Sequence, residues 1–236
     1  MAVDISQFVT GTFSAVSSGN VLFSSAVSSG SLIVAHGGYF RTAGSAFTSV
    51  TDNVNANNYT VGCDSTMSNA SDTAAHALIA YKAGISSGVG GASTYRVSIN
   101  FSGTPSFSLC AAQYTGGAWT VGSTKSANGT SSSPAPGSFS ASSTPVVFVA
   151  SAIHNSTTTF NSTINGVFWR ATADPTNANQ IIVFGDSTNS SLTQNPTFGM
   201  SASTRWLSNG MVFMGLGGGG AATRPFVDGF TLFGAV

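Results

Sequence analysis

Chemistry needs titratable or nucleophilic side chains, and this 236-residue sequence carries few of them: seven Asp, no Glu, three His and two Cys. Most glycoside hydrolysis uses two facing carboxyls, which here must come from Asp residues on separate loops. Asp52, Asp64, Asp174 and Asp186 each neighbour Asn, Ser, Pro or Gly, a setting in which Asp caps a turn. No D-x-[DN]-x-[DN]-G spacing marks a calcium loop. His36, His76 and His154 form no H-x-H or H-E-x-x-H group that would set two imidazoles on one metal, and they read as hydrogen-bonded strand histidines. There is no G-x-S-x-G elbow, and Cys63 and Cys110 lack a basic neighbour that would activate a thiol. Both read as small buried hydrophobes, with a disulfide between them left open. The run Gly215–Gly220 is not followed by Lys-Ser/Thr, so it reads as a turn and not a phosphate loop. These residues predict no enzyme, no cofactor and no metal site.

Aromatic side chains are the better recognition groups, because sugars stack on flat apolar faces with a polar edge. Trp119 follows Tyr114-Thr-Gly-Gly-Ala, just past a tight turn, so it is expected to be partly exposed. Trp119 and Tyr114 are the candidate carbohydrate-binding residues. Trp169 and Trp206 lie in strand patterns beside Arg170 and Arg205 and are expected in the core, with each Arg on the opposite face.

The elements that position these residues read as strands. Glu is absent, Lys, Arg and Gln are scarce, and no stretch of helical length keeps a clean 3.6-residue apolar period. Strand patterns appear at 32–40, 75–82, 95–101, 107–114, 145–153, 166–171, 180–184, 196–200, 205–207 with 211–214, and 226–233. In Tyr95–Phe101 the apolar Tyr95, Val97, Ile99 and Phe101 alternate with Arg96, Ser98 and Asn100, which predicts one face in and one face out. Turn chemistry separates the strands at 52–58, 84–91, 128–137 and 217–220. About a dozen strands with little or no helix predict an all-β, two-sheet antiparallel sandwich. The chain reads as a single domain, 1–236, with a long internal loop around 126–137.

Composition sets the surroundings. Ser, Thr, Gly and Asn make 110 of the 236 residues, only 6% are charged, and the formal net charge is zero. No basic stripe exists to release counterions from nucleic acid or to hold an anionic membrane. No run of 18 apolar residues would cross a bilayer as a helix. A hydrophobic content of 42% with 17 Phe argues for a packed core over disorder. The apolar segment Phe226–Val236 reads as a core strand or an assembly surface, with Phe226, Phe230, Leu232 and Phe233 as the contact residues.

Several of these motifs together carry a resemblance. Phe47-Thr-Ser-Val-Thr-Asp-Asn-Val-Asn-Ala-Asn-Asn-Tyr-Thr60, the turn near Gly84, Val97-Ser-Ile-Asn-Phe-Ser-Gly103 and Ala112-Gln-Tyr-Thr-Gly116 resemble jelly-roll or concanavalin-like β-sandwich domains of bacteriophage virion proteins and bacterial extracellular proteins. The likeness spans about residues 30–155, and the chain departs from it at Gln113, where Glu is common, and at Asn57, where Gly is usual. It implies a jelly-roll-type sandwich in a surface-exposed role: capsid decoration, a head or tail fibre component, or a glycan-binding module. The N-terminal residues show no basic and apolar export signal, while the neutral Ser/Thr surface suits the exterior. A phage protein made in the host cytoplasm and displayed on the virion reconciles the two. The expected partners are copies of the chain itself and capsid or tail proteins, with host glycans as the alternative, and neither nucleic acid nor a membrane.

Overall fold

The computed structural model describes residues 3–40, 45–54, 59–67, 75–85, 95–154, 158–165, 170–173, 182–188 and 192–215. The strands are β1 (Asp4–Phe13), β2 (Ser18–Leu22), β3 (Leu32–Phe40), β4 (Phe47–Asp52), β5 (Thr60–Thr66), β6 (Ala75–Lys82), β7 (Arg96–Phe101), β8 (Ser106–Thr115) and β9 (Trp119–Ser131). They continue as β10 (Phe139–Ser140), β11 (Val146–His154), β12 (Phe160–Asn165), β13 (Arg170–Ala173), β14 (Ile182–Ser187), β15 (Thr193–Gln194), β16 (Thr197–Met200) and β17 (Thr204–Gly215). No helix occurs among the described residues, so the all-β antiparallel sandwich expected from the strand patterns is the fold observed.

Two five-stranded sheets form its centre, the first ordered β1-β8-β3-β6-β5 and the second β13-β14-β11-β17-β9. A third sheet, β2-β7-β4, covers the far side of the first, and the short pairs β10-β15 and β12-β16 are not hydrogen bonded into these sheets but pack on the second. Every pairing among the described residues is antiparallel. The first sheet is therefore packed on both faces. Ile33, Ala35 and Tyr39 of β3 join a core with Val97, Ile99 and Phe101 of β7. Leu32 and Val34, pointing the other way, join a core with Val147, Phe184, Met211 and Phe213 of the second sheet. The second sheet is also covered on its outer side, where Phe148, Val183, Trp206 and Val212 meet Phe139, Phe160, Phe198 and Met200.

This layering accounts for two kinds of strand in the sequence. A strand covered on both faces has no reason to alternate, so it reads as a nearly continuous apolar run. β3, β6, β8 and β11 are such runs, and β11 is buried at all nine positions. β7 lies in the one-sided third sheet, and its burial alternates as its sequence does. On the outer face of that sheet Asn100 Nδ2 donates to Ser49 Oγ at 3.1 Å and Thr51 Oγ1 at 3.3 Å, while Ser18 Oγ donates to Asn100 Oδ1 at 2.9 Å. The Ser/Thr/Asn excess thus includes a hydrogen-bonded polar lattice across one sheet.

Two expectations are corrected. The long loop around 126–137 is shorter, because residues 126–131 continue β9 and pair with Thr204–Asn209 of β17. Gly129 lies under the Trp206 indole, where a Cβ would approach Cζ2 to 2.9 Å, and Trp206 Nε1 donates to Ser131 Oγ at 2.9 Å. The segments 205–207 and 211–214 are one strand, β17. Its polar middle is held because Ser208 Oγ donates to Ser151 O at 2.9 Å and Asn209 is bonded on both ends of its amide. Gly210 completes the middle by admitting the Phe139 ring, whose Cε1 would sit 2.8 Å from an added Cβ.

Candidate functional site

Three hydrogen-bond networks tie strands, sheets and a connection together, and one cluster lies at the rim. The first network crosses the seam between the two five-stranded sheets. Ser65 Oγ on β5 donates to Ser126 Oγ on β9 at 2.9 Å, and Ser126 Oγ donates to Asn209 Oδ1 on β17 at 2.7 Å. Asn209 Nδ2 then donates to the Ala77 carbonyl on β6 at 2.7 Å. Four strands from two sheets are joined through one fully buried amide.

The second network pins the end of β4 to the third sheet's core. Asp52 Oδ1 accepts from the Val54 amide at 2.9 Å, closing an Asx turn, as an Asp before Asn53 predicts. Its Oδ2 accepts from Tyr95 Oη at 3.0 Å, and Tyr95 Oη meets Tyr59 Oη at 3.1 Å. Burial, followed by the neighbouring phenol and the Asp52 charge, pushes Tyr59 well above the ordinary tyrosine range. Tyr95 is raised too, chiefly by burial. Both phenols stay protonated as donors. Tyr95→Phe removes the hydroxyl that Asp52 and Tyr59 share, and is expected to cost about 1–3 kcal/mol in a urea melt.

The third network explains the departure at Gln113. Gln113 Oε1 accepts from Gln7 Nε2 at 2.7 Å while its Nε2 donates to Ser31 Oγ at 2.8 Å. An amide serves both roles at once; an ionised carboxylate accepts only. Gln7 Oε1 also accepts from the Ser25 amide at 2.7 Å, so the network ties the β2–β3 connection to β1 and β8.

The arrangement nearest to a catalytic constellation is Asp64, His76 and Thr66. His76 Nδ1 lies 3.1 Å from Thr66 Oγ1 and 3.9 Å from Asp64 Oδ1, and its ring stacks on Tyr39 at 4.5 Å. A nucleophile–base–acid relay places its two partners on opposite imidazole nitrogens. Here both address Nδ1, so the geometry is that of a strand-edge hydrogen bond. Among the described residues no group of three His, Cys or Asp gathers to hold a metal.

His36 was expected to be hydrogen bonded and is not. It is fully buried in the seam, neither ring nitrogen has a hydrogen-bond partner, and its ring meets Phe184 edge-on at 4.0 Å. The aromatic contact takes the place of a polar one, and burial holds its pKa well below the usual histidine range. His154, on the outer face of the second sheet beside Phe160, is lowered by burial to about 4. Cys63 and Cys110 are buried and form no disulfide, and burial raises the Cys63 thiol to about 11. Cys110 pairs with His36, His36 with Ile79, and Ile79 with Cys63, so the two cysteines stand three strands apart, about 14 Å at the usual strand spacing. A disulfide needs Cα atoms within about 7 Å, so this fold keeps the two thiols unbridged.

The exposure expected of Trp119 is corrected. Gly116 and Gly117, at φ +137° and +121°, fold the chain back so that the indole opens β9 opposite Gly215. It packs in the seam with Tyr114, Val147, Met211 and Phe213, at 8% exposure, and Tyr114 is fully buried. Neither ring offers a free face for stacking. Trp206 is in the core as expected, with Arg205 half-buried. Trp169, Asp174, Phe226, Phe230, Leu232 and Phe233 lie outside the described residues. What sequence reasoning missed is the role of Asn209, Gln113 and Ser126. For Gln113 and Asn209 the signal was a polar residue inside an otherwise apolar run, whereas Ser126 lies in a polar stretch with no such signal. Compared with known proteins, the chain matches no family model, no curated protein and no solved structure.

Proposed function

We propose that the chain is a non-enzymatic structural protein of a bacteriophage particle surface, a capsid decoration or a head or tail fibre component. It acts by packing against copies of itself and against capsid or tail proteins. The observation that carries this reading is where the reactive groups go. His36, His154, Cys63, Cys110, Asp52 and Asp186 are all buried, Asn209 and the two buried tyrosines join layers, and Gln113 ties the β2–β3 connection to the first sheet. Groups spent on holding sheets together are not presented to a substrate. What the described chain presents outward is small, neutral and polar, as on the Ser18, Ser49, Thr51 and Asn100 face, which suits a particle exposed to the environment. The resemblance of residues 30–155 to virion sandwich domains points the same way.

The glycan-binding alternative is separated by intrinsic tryptophan fluorescence during titration with a panel of host glycans. A packing protein with Trp119 and Trp206 in its cores leaves the emission unchanged. A saturable shift that disappears in Trp119→Ala overturns the proposal in favour of carbohydrate recognition.

A further inference from the structure

We infer that His36 makes the seam between the two five-stranded sheets an acid-responsive joint: closed while the imidazole is neutral, and opened when it takes a proton. The geometry carries this. His36 sits near the middle of β3, an inner strand flanked by β8 and β6, and points into the seam with Leu32 and Val34. The Phe184 ring of β14 lies against it from the second sheet at 4.0 Å. On that sheet Phe184 is paired with Ser151 and Ser151 with Asn209, so the groups next to Phe184 in the row are uncharged. The Ser151 hydroxyl is also buried with no hydrogen-bond partner.

The other titratable groups on this side of the first sheet are thiols and phenols. Cys110 is directly across the strand pair, Cys63 is two strands further on, and Tyr81 and Tyr114 belong to the same core. Burial raises the Cys63 thiol, so it stays protonated at neutral pH. From the second sheet the charged residues are Asp186, two positions along β14 from Phe184 and in register with Arg170, and Arg205 at the start of β17. Asp186 lies on the same face of β14 as Phe184 but makes no hydrogen bond to His36, and Arg205 would repel an imidazolium. A proton on His36 creates a buried charge with two N–H donors and no hydrogen-bond acceptor in place, which is strongly unfavourable unless water reaches it. Water reaches that ring only when the sheets part. The relation runs both ways: the closed seam lowers the proton affinity of His36, and the proton lowers the stability of the closed seam.

Cys63 and Cys110 line the same seam at 7% and 5% exposure, and they report its opening. The full chain is treated with 4,4′-dithiodipyridine, a disulfide reagent that works in acid, and the rate is divided by that of free cysteine at each pH. From pH 7 to pH 5 the normalised rate is expected to rise about tenfold or more, the factor that one pKa unit of coupling supplies. The far-UV circular dichroism is expected to stay constant over that range. His36→Leu, close in volume and unable to titrate, is expected to remove the rise. As a check that needs no variant, the His36 ring signals in the wild-type NMR spectrum are expected to remain those of neutral imidazole at pH 6. A flat rate, a rise that persists in His36→Leu, a rise that appears only together with loss of the dichroism signal, or a protonated His36 in the closed protein at pH 6 would each overturn the inference.

Discussion

Phe184→Ala is expected to destabilise the protein by about 3–5 kcal/mol, the cost of emptying a fully buried phenylalanine site. Phe184 is 1% exposed and belongs to the seam core. Its ring stacks on Phe8 of β1 at 5.3 Å and meets His36 of β3 edge-on at 4.0 Å, so it holds the second sheet against two strands of the first. Removing it strips the apolar cover from His36 as well as leaving a cavity. The seam cannot close over the gap, because the sheets on either side are fixed by the Asn209 bridge at another point of the same interface. Leu192→Ala, at a site 41% exposed, is the control and is expected to change stability by less than about 0.5 kcal/mol. Urea melts of the three proteins give both values. A loss below about 1 kcal/mol for Phe184→Ala contradicts the packing described here.

Lowering the pH from 7 to 4 is expected to cost about 3 kcal/mol of stability through His154. Burial sets its folded pKa at about 4 against 6.5 for the ordinary imidazole. Between those values the unfolded chain binds the proton and the folded chain does not, so stability falls as pH falls. The contribution is whole above pH 6.5 and is lost progressively down to about pH 4. At about 1.4 kcal/mol per pKa unit the gap gives the figure above. His36 is displaced in the same direction and adds to the loss. Denaturation series at several pH values are expected to show the decline in the wild type and a decline smaller by about 3 kcal/mol in His154→Leu. Equal pH dependence in the two proteins contradicts the assignment.

Much of this architecture was legible in the residues. The runs at 32–40, 75–82, 107–114 and 145–153 gave the central strands to within a residue or so, because a strand covered on both faces must be apolar at nearly every position. What those runs also meant, a third sheet over the first, follows from the same fact but needs the partner to be seen. Strands β1, β2, β5 and β9 were harder, since Ser, Thr and Gly dominate them and their signal resembles turn chemistry. In β9 the segment Asn128–Ser131 has the composition of a loop, and pairing with β17 makes it a strand.

The polar sites divide in the same way. Asp52 before Asn53 announced its turn locally. Asn209 and Gln113 are explained only by partners 132 and 82 residues away, which no local pattern contains. Trp119 was misjudged for the same reason. Its place after a double glycine suggested exposure, whereas the positive φ of both glycines turns the indole back under Tyr114 and Phe213.

The central claim, that this molecule works through packing surfaces and not through a reactive site, is tested most directly by multi-angle light scattering of the purified chain over a range of concentrations. The account predicts a defined oligomer or larger regular assembly, unchanged by added glycans. A strict monomer at every concentration, with a mass that shifts only when a glycan binds, would contradict it.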